Sequence, residues 1–224
     1  MARRHRGITS SMLRRLCQMM RRGQHPGLIP RQFRRDGVIF IHVPKCAGSA
    51  FLDAYLGWQT GHITARDFHA ADPVFFRSAY VFTLVRHPLA RFVSAYNHIS
   101  TGDLWPQLAE ARTALRQHGE TLTEVATGLS ERSDLFQLPW FAPQHTFLEL
   151  WPGGPPAVNR VFKTESFETD LQVLAAETGL RLRPLAPTNR RAPPNGIDSA
   201  SLPPQAVENL RRVYSRDFTL FGYY

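Results

Sequence analysis

Lysine is almost missing from this chain. Lys45 and Lys163 are the only two, and neither follows a glycine, so a Walker A loop with its Gly-Lys pair is excluded. No two of the 15 glycines stand two positions apart, which removes the GxGxxG dinucleotide fingerprint as well. Cysteine is equally scarce: Cys17 and Cys46 are too far apart to make a CxxC pair or a zinc knuckle, and a reducing compartment fits them. No run approaches the ~20 apolar residues of a membrane span, and the N-terminus lacks the apolar stretch of a signal peptide. A soluble, cytoplasmic protein is expected.

What is present is a 224-residue chain with 43% hydrophobic residues, enough for one sizeable core. Its net charge of +9 is concentrated at one end, because the first 36 residues hold ten arginines and a single acid. From Gly37 onward the 17 basic residues match 17 acidic ones, so a nucleic-acid-binding surface over the whole molecule is disfavoured. The chain therefore reads as a basic arm, residues 1–36, and a domain, residues 37–224. Within the arm, Met12, Leu13, Leu16, Met19 and Met20 lie among Arg14, Arg15, Arg21 and Arg22, a short helical pattern that Pro26, Gly27 and Pro30 end. One reading is a basic amphipathic helix on an anionic membrane or polymer, making the protein peripheral at a membrane; the other is a solvated tail or a helix packed on its own domain.

The domain opens with Val38 to Val43, an apolar β-branched run without polar alternation, as in a strand buried on both faces. A helix is expected over Phe51 to Leu56, a second buried strand over Tyr80 to Val85, and a helix from Pro88 through Leu89, Phe92, Val93 and Tyr96. Strand, loop and helix twice over predict an α/β fold with a parallel sheet and crossover helices. Further helices are expected at Leu104 to Leu115, at Leu171 to Thr178 ending in Gly179, and at Val207 to Tyr214, with a third strand over Val158 to Lys163. Residues 138–156 and 183–204 read as loops, and the aromatic C-terminus as docked on the core.

Two strand ends carry the chemistry. In Val43-Pro44-Lys45-Cys46-Ala47-Gly48-Ser49-Ala50-Phe51 a buried strand gives way to a helix through small residues that let an anion approach the backbone. This is a phosphate or sulfate cradle to which Lys45 adds a point charge; Ser49 serves either as a hydroxyl donor or only as a helix cap. Leu84 to Tyr96 repeats the arrangement, with Arg86 at a strand end and Ser94 on the next helix, both suited to one phosphate. Arg91 neighbours Ser94 on that helix, with a salt bridge as its alternative role. In open parallel sheets ligands bind at the carboxyl ends of strands, where both loops fall.

These stretches resemble the 5′-phosphosulfate loop (PKxAGS/T) and the 3′-phosphate motif (RxPxxRxxSxY) of the sulfotransferases, in the branch of Golgi carbohydrate sulfotransferases and their bacterial relatives. The likeness extends through Phe141-Ala142-Pro143-Gln144, Phe162 to Phe167 and Tyr214 to Phe218, and covers roughly residues 38–223. Cys46 stands where the family often has threonine. The resemblance implies a P-loop-like three-layer sandwich, a central parallel sheet flanked by helices. It also implies 3′-phosphoadenosine 5′-phosphosulfate (PAPS) as co-substrate, and in-line sulfuryl transfer to an acceptor hydroxyl, on a carbohydrate in this branch. Lys45 to Ala50 would bind the phosphosulfate, with Lys45 also catalytic, and Arg86 and Ser94 the 3′-phosphate. No metal is expected, since a sulfuryl group carries less charge than a phosphoryl group and no acidic Mg-binding cluster is evident.

The resemblance also suggests the base, because the uronyl 2-O-sulfotransferases carry a GHVS-like segment between the donor motifs and Gly61-His62-Ile63-Thr64 matches it. His62 is the expected base, its ordinary pKa of about 6.5 suiting proton removal near neutral pH, and His69 is the runner-up. Core or loop positions account for His42 and His87. Trp105, Trp140 and Trp151 would either stack on sugar rings or fill the core. Two other functions stay open on the sequence alone: a nucleotide-dependent kinase or phosphotransferase, which lacks its GK[ST] and Mg ligands here, and a non-catalytic module binding anionic polymer or membrane through the arm.

Overall fold

In the computed structural model, which describes residues 27–101, 106–130, 133–185 and 198–224, the two apolar runs become neighbouring strands. The chain begins with α1 (Arg31–Asp36), β1 (Val38–Ile41), α2 (Gly48–Tyr55), α3 (Ala65–Ala71), α4 (Pro73–Ser78) and β2 (Tyr80–Val85). It continues with α5 (Pro88–Thr101), α6 (Pro106–Arg116), α7 (Leu122–Gly128), β3 (Arg160–Lys163), α8 (Phe167–Thr178), α9 (Pro204–Val213) and α10 (Ser215–Phe221). The protein is thus α/β with a small parallel sheet of three strands. β2 lies in the middle, with Ile41 of β1 beside its Thr83 and Lys163 of β3 beside its Val85. Since the strands are parallel, their C-terminal ends share one edge of the sheet.

Two compact units divide the described residues. The first, 27–86 and 144–185, contains the whole sheet. Every residue of β1 is buried, as the absence of polar alternation predicts. Phe40 packs against Phe51 of α2 at 4.6 Å and against Phe82 of β2 at 5.3 Å between ring centroids. Burying such a ring contributes roughly 1.5–3 kcal/mol, so this aromatic cluster fixes α2 on the sheet and aims its N-terminus. α1 belongs to the same core: Phe33 is fully buried, stacked on Tyr55 and tilted against Phe68. The charge-based boundary after residue 36 therefore falls behind a packed helix; residues 1–26 of the basic arm lie outside the described residues. Gly179, at a left-handed φ of 70°, ends α8 as the sequence predicts.

Helices α3, α4 and α7 were not expected from hydrophobic spacing, being short and set by their caps. Thr64 with Asp67 and Thr121 with Glu124 form capping boxes, and Asp72 caps α4 ahead of Pro73. The second unit, residues 87–143 and 198–224 where described, is helical. Its core holds Arg91, only 1% exposed, which donates to the Ala142 and Pro139 carbonyls, and Tyr214, whose hydroxyl donates to the Phe141 carbonyl. No helix among the described residues is long and apolar enough to cross a membrane.

Candidate functional site

The turn from β1 into α2 is the most strained backbone in the described chain. Lys45 and Ala47 have φ of 67° and 60°, the only non-glycine residues with positive φ among those described. Each costs about 1–2 kcal/mol for a side chain with a Cβ, and such conformations concentrate where a ligand must meet the backbone. Ala47 occupies the N-cap position and supplies no side-chain cap; Ala50 and Phe51 N–H groups return to its carbonyl. The N–H groups of Gly48 and Ser49 have no acceptor within the helix, so they give the open end of α2 its positive partial charge. Ser49 is exposed, and its hydroxyl does not cap α2.

Gly48 is dictated by a neighbour. A Cβ there would lie 2.2 Å from Cδ2 and 2.6 Å from Nε2 of His42, whose imidazole fills that space. His42 is 4% exposed, and its pKa is held well below 6.5, first by burial and then by the charges of His62 and Lys45. The ring is neutral near pH 7 and lies close enough to Lys45 to feel its charge.

His62 completes this cluster from the loop before α3. Its ring centroid is 4.2 Å from that of His42, and its Nδ1 is 2.9 Å from the His42 carbonyl oxygen. A carbonyl only accepts, so Nδ1 carries the proton and the lone pair of the neutral ring lies on Nε2. Gly61, at φ 78°, and the Thr64–Asp67 capping box hold the loop on both sides of His62. The structure thus brings His62, Lys45 and Gly48 around one buried imidazole. His69 is elsewhere, on α3 with its ring edge-on to Phe76.

At the end of β2 the backbone of Arg86 is satisfied by a side chain. Gln144, fully buried, accepts from the Arg86 N–H through Oε1 at 2.9 Å and donates to the Arg86 carbonyl through Nε2 at 2.9 Å. The preceding carbonyl, Val85, accepts from the Thr164 hydroxyl at 2.9 Å. The Arg86 guanidinium makes no hydrogen bond or ion pair with described residues. Cys46 joins the two loops: its thiol is 3.2 Å from the same Gln144 Oε1, with the Pro44 carbonyl at 3.6 Å. The sequence marks Gln144 only as part of a block; nothing in its spacing shows that the amide would bridge two motifs far apart in the chain.

Ser94 lies half-buried on α5, in the second unit. His87 packs its ring against Phe218 and Tyr223 there, a core role. Trp140 is buried and Trp151 is 57% exposed, while Trp105 lies outside the described residues. No cluster of three or more His, Cys, Asp or Glu among the described residues is arranged to hold a metal.

Comparison with protein-family models, with curated proteins and with solved structures returns no match.

Proposed function

We propose that this chain is a sulfotransferase on a P-loop-like α/β sandwich, using PAPS to sulfate a hydroxyl, most plainly one on a carbohydrate. The observation that carries the reading is the strained Lys45–Ser49 turn, a small-residue loop that opens an uncapped helix at the same sheet edge as Arg86. Backbone N–H groups, a helix dipole and a lysine there suit a doubly anionic phosphosulfate.

In the proposed reaction, Nε2 of His62 takes the acceptor hydroxyl proton while that oxygen attacks sulfur. The new O–S bond forms as the bond from sulfur to the bridging phosphate oxygen breaks, and that oxygen keeps the electron pair on departing adenosine 3′,5′-bisphosphate. Lys45 and the Gly48 and Ser49 N–H groups face the charge that grows there, with Ala47 and Ala50 leaving room for it. Arg86 takes the 3′-phosphate. No metal takes a step. The basic arm would hold the enzyme at an anionic membrane or polymer.

Incubation with PAPS labelled in the sulfate, against a panel of glycan, lipid and phenol acceptors, tests the activity. Label in a glycan with the wild type, and none with Lys45→Ala, is the expected result; turnover of nucleoside triphosphates instead would favour a phosphotransferase.

A further inference from the structure

Gln144 does two things at once. Its amide pairs with both backbone groups of Arg86, replacing the strand neighbour that β2 loses at its end, and the same Oε1 receives the Cys46 thiol from the Lys45–Ser49 turn. Cys46 and Gln144 are both fully buried, so water does not compete for these contacts. We infer that Gln144 is a positioning residue that sets the spacing between the two loops, so that the two ends of one nucleotide are held as a unit. The inference rests on the donor reading above, but it concerns the link between the loops and not the contacts each makes.

A spacer has a distinctive signature. Weakening it should penalise a ligand that spans both loops and spare one that touches a single loop, because only the first needs the separation fixed in advance. Merely structural damage would lower both affinities together. Adenosine 3′,5′-bisphosphate is the spanning probe and adenosine 5′-monophosphate the single-ended one.

Two variants separate the possibilities. Gln144→Met conserves length and removes every hydrogen bond of the amide, including both to the Arg86 backbone. Cys46→Ala removes the thiol and with it the link to Gln144 while leaving the amide pairing with Arg86 in place, and Cys46→Ser restores a hydrogen-bond donor at that point. Calorimetry on the full chain is expected to show the bisphosphate bound about tenfold more weakly by Gln144→Met and roughly threefold more weakly by Cys46→Ala, with Cys46→Ser near wild type. The monophosphate should change by less than about twofold in each, because the Cys46 side chain is fully buried and that residue would meet the 5′-phosphate only through its backbone. If Gln144→Met does not fold, the Cys46 pair decides alone. Equal losses for both nucleotides, or no loss in Cys46→Ala, would overturn the spacer role while leaving the donor reading intact; a wild type that binds neither nucleotide would overturn both.

Discussion

At the scale of single residues, His62 is held by the His42 carbonyl, yet the two imidazoles play opposite parts. His62 presents Nε2, and His62→Ala is expected to cut sulfate transfer by roughly 10²- to 10⁴-fold with little change in nucleotide affinity, measured by initial rates beside calorimetry. The same change at His69, edge-on to Phe76, should be milder. His42 acts on stability. Folded His42 takes its proton only well below pH 6.5, whereas the unfolded chain takes it near 6.5. As pH falls through 6.5 the unfolded state binds more protons, so stability drops, and above that pH the contribution is fully present. Urea midpoints across pH 5–8 should show this decline, and His42→Phe should flatten it.

Among the elements, the N-terminus of α2 depends on Gly48 having no side chain. Gly48→Ala would drive a Cβ into the His42 ring and is expected to cost about 1–3 kcal/mol in chemical denaturation, together with loss of nucleotide binding. Pairing it with His42→Ala, which clears the space, should cost less than the two separate losses combined. The strands β1 and β2 were legible because their runs are buried on both faces, and hydrophobicity alone marks such strands. The Lys45–Ser49 turn was legible because a run of small residues between a buried strand and a helix marks a place where an anion can approach backbone N–H groups. The short helices α3, α4 and α7 were not, since caps such as Thr64–Asp67 define them in place of an apolar stripe. Nor was Gln144, whose role exists only once β1 and β2 lie side by side.

For the molecule as a whole, composition suggests that the basic segment is an appendage up to residue 36, yet Phe33 is in the core of the sheet unit. A truncation ending at residue 36 removes that ring and should lower stability by about 3–5 kcal/mol, the usual loss for a buried phenylalanine. One ending at residue 26 keeps it, and should retain cooperative thermal unfolding while losing salt-sensitive binding to anionic vesicles. Charge counts cannot see the difference, because Arg31, Arg34 and Arg35 surround Phe33 on α1 and make a packed helix look like tail.

The central claim is that two strand ends grip opposite ends of one nucleotide, and calorimetric titration with adenosine 3′,5′-bisphosphate addresses it most directly. The wild type is expected to bind it in preference to ATP. Arg86→Ala should bind it roughly 10- to 100-fold more weakly with an unchanged melting temperature, since its guanidinium supports nothing in the described fold. Absence of binding by the wild type, or an affinity untouched by Arg86→Ala, would contradict the account.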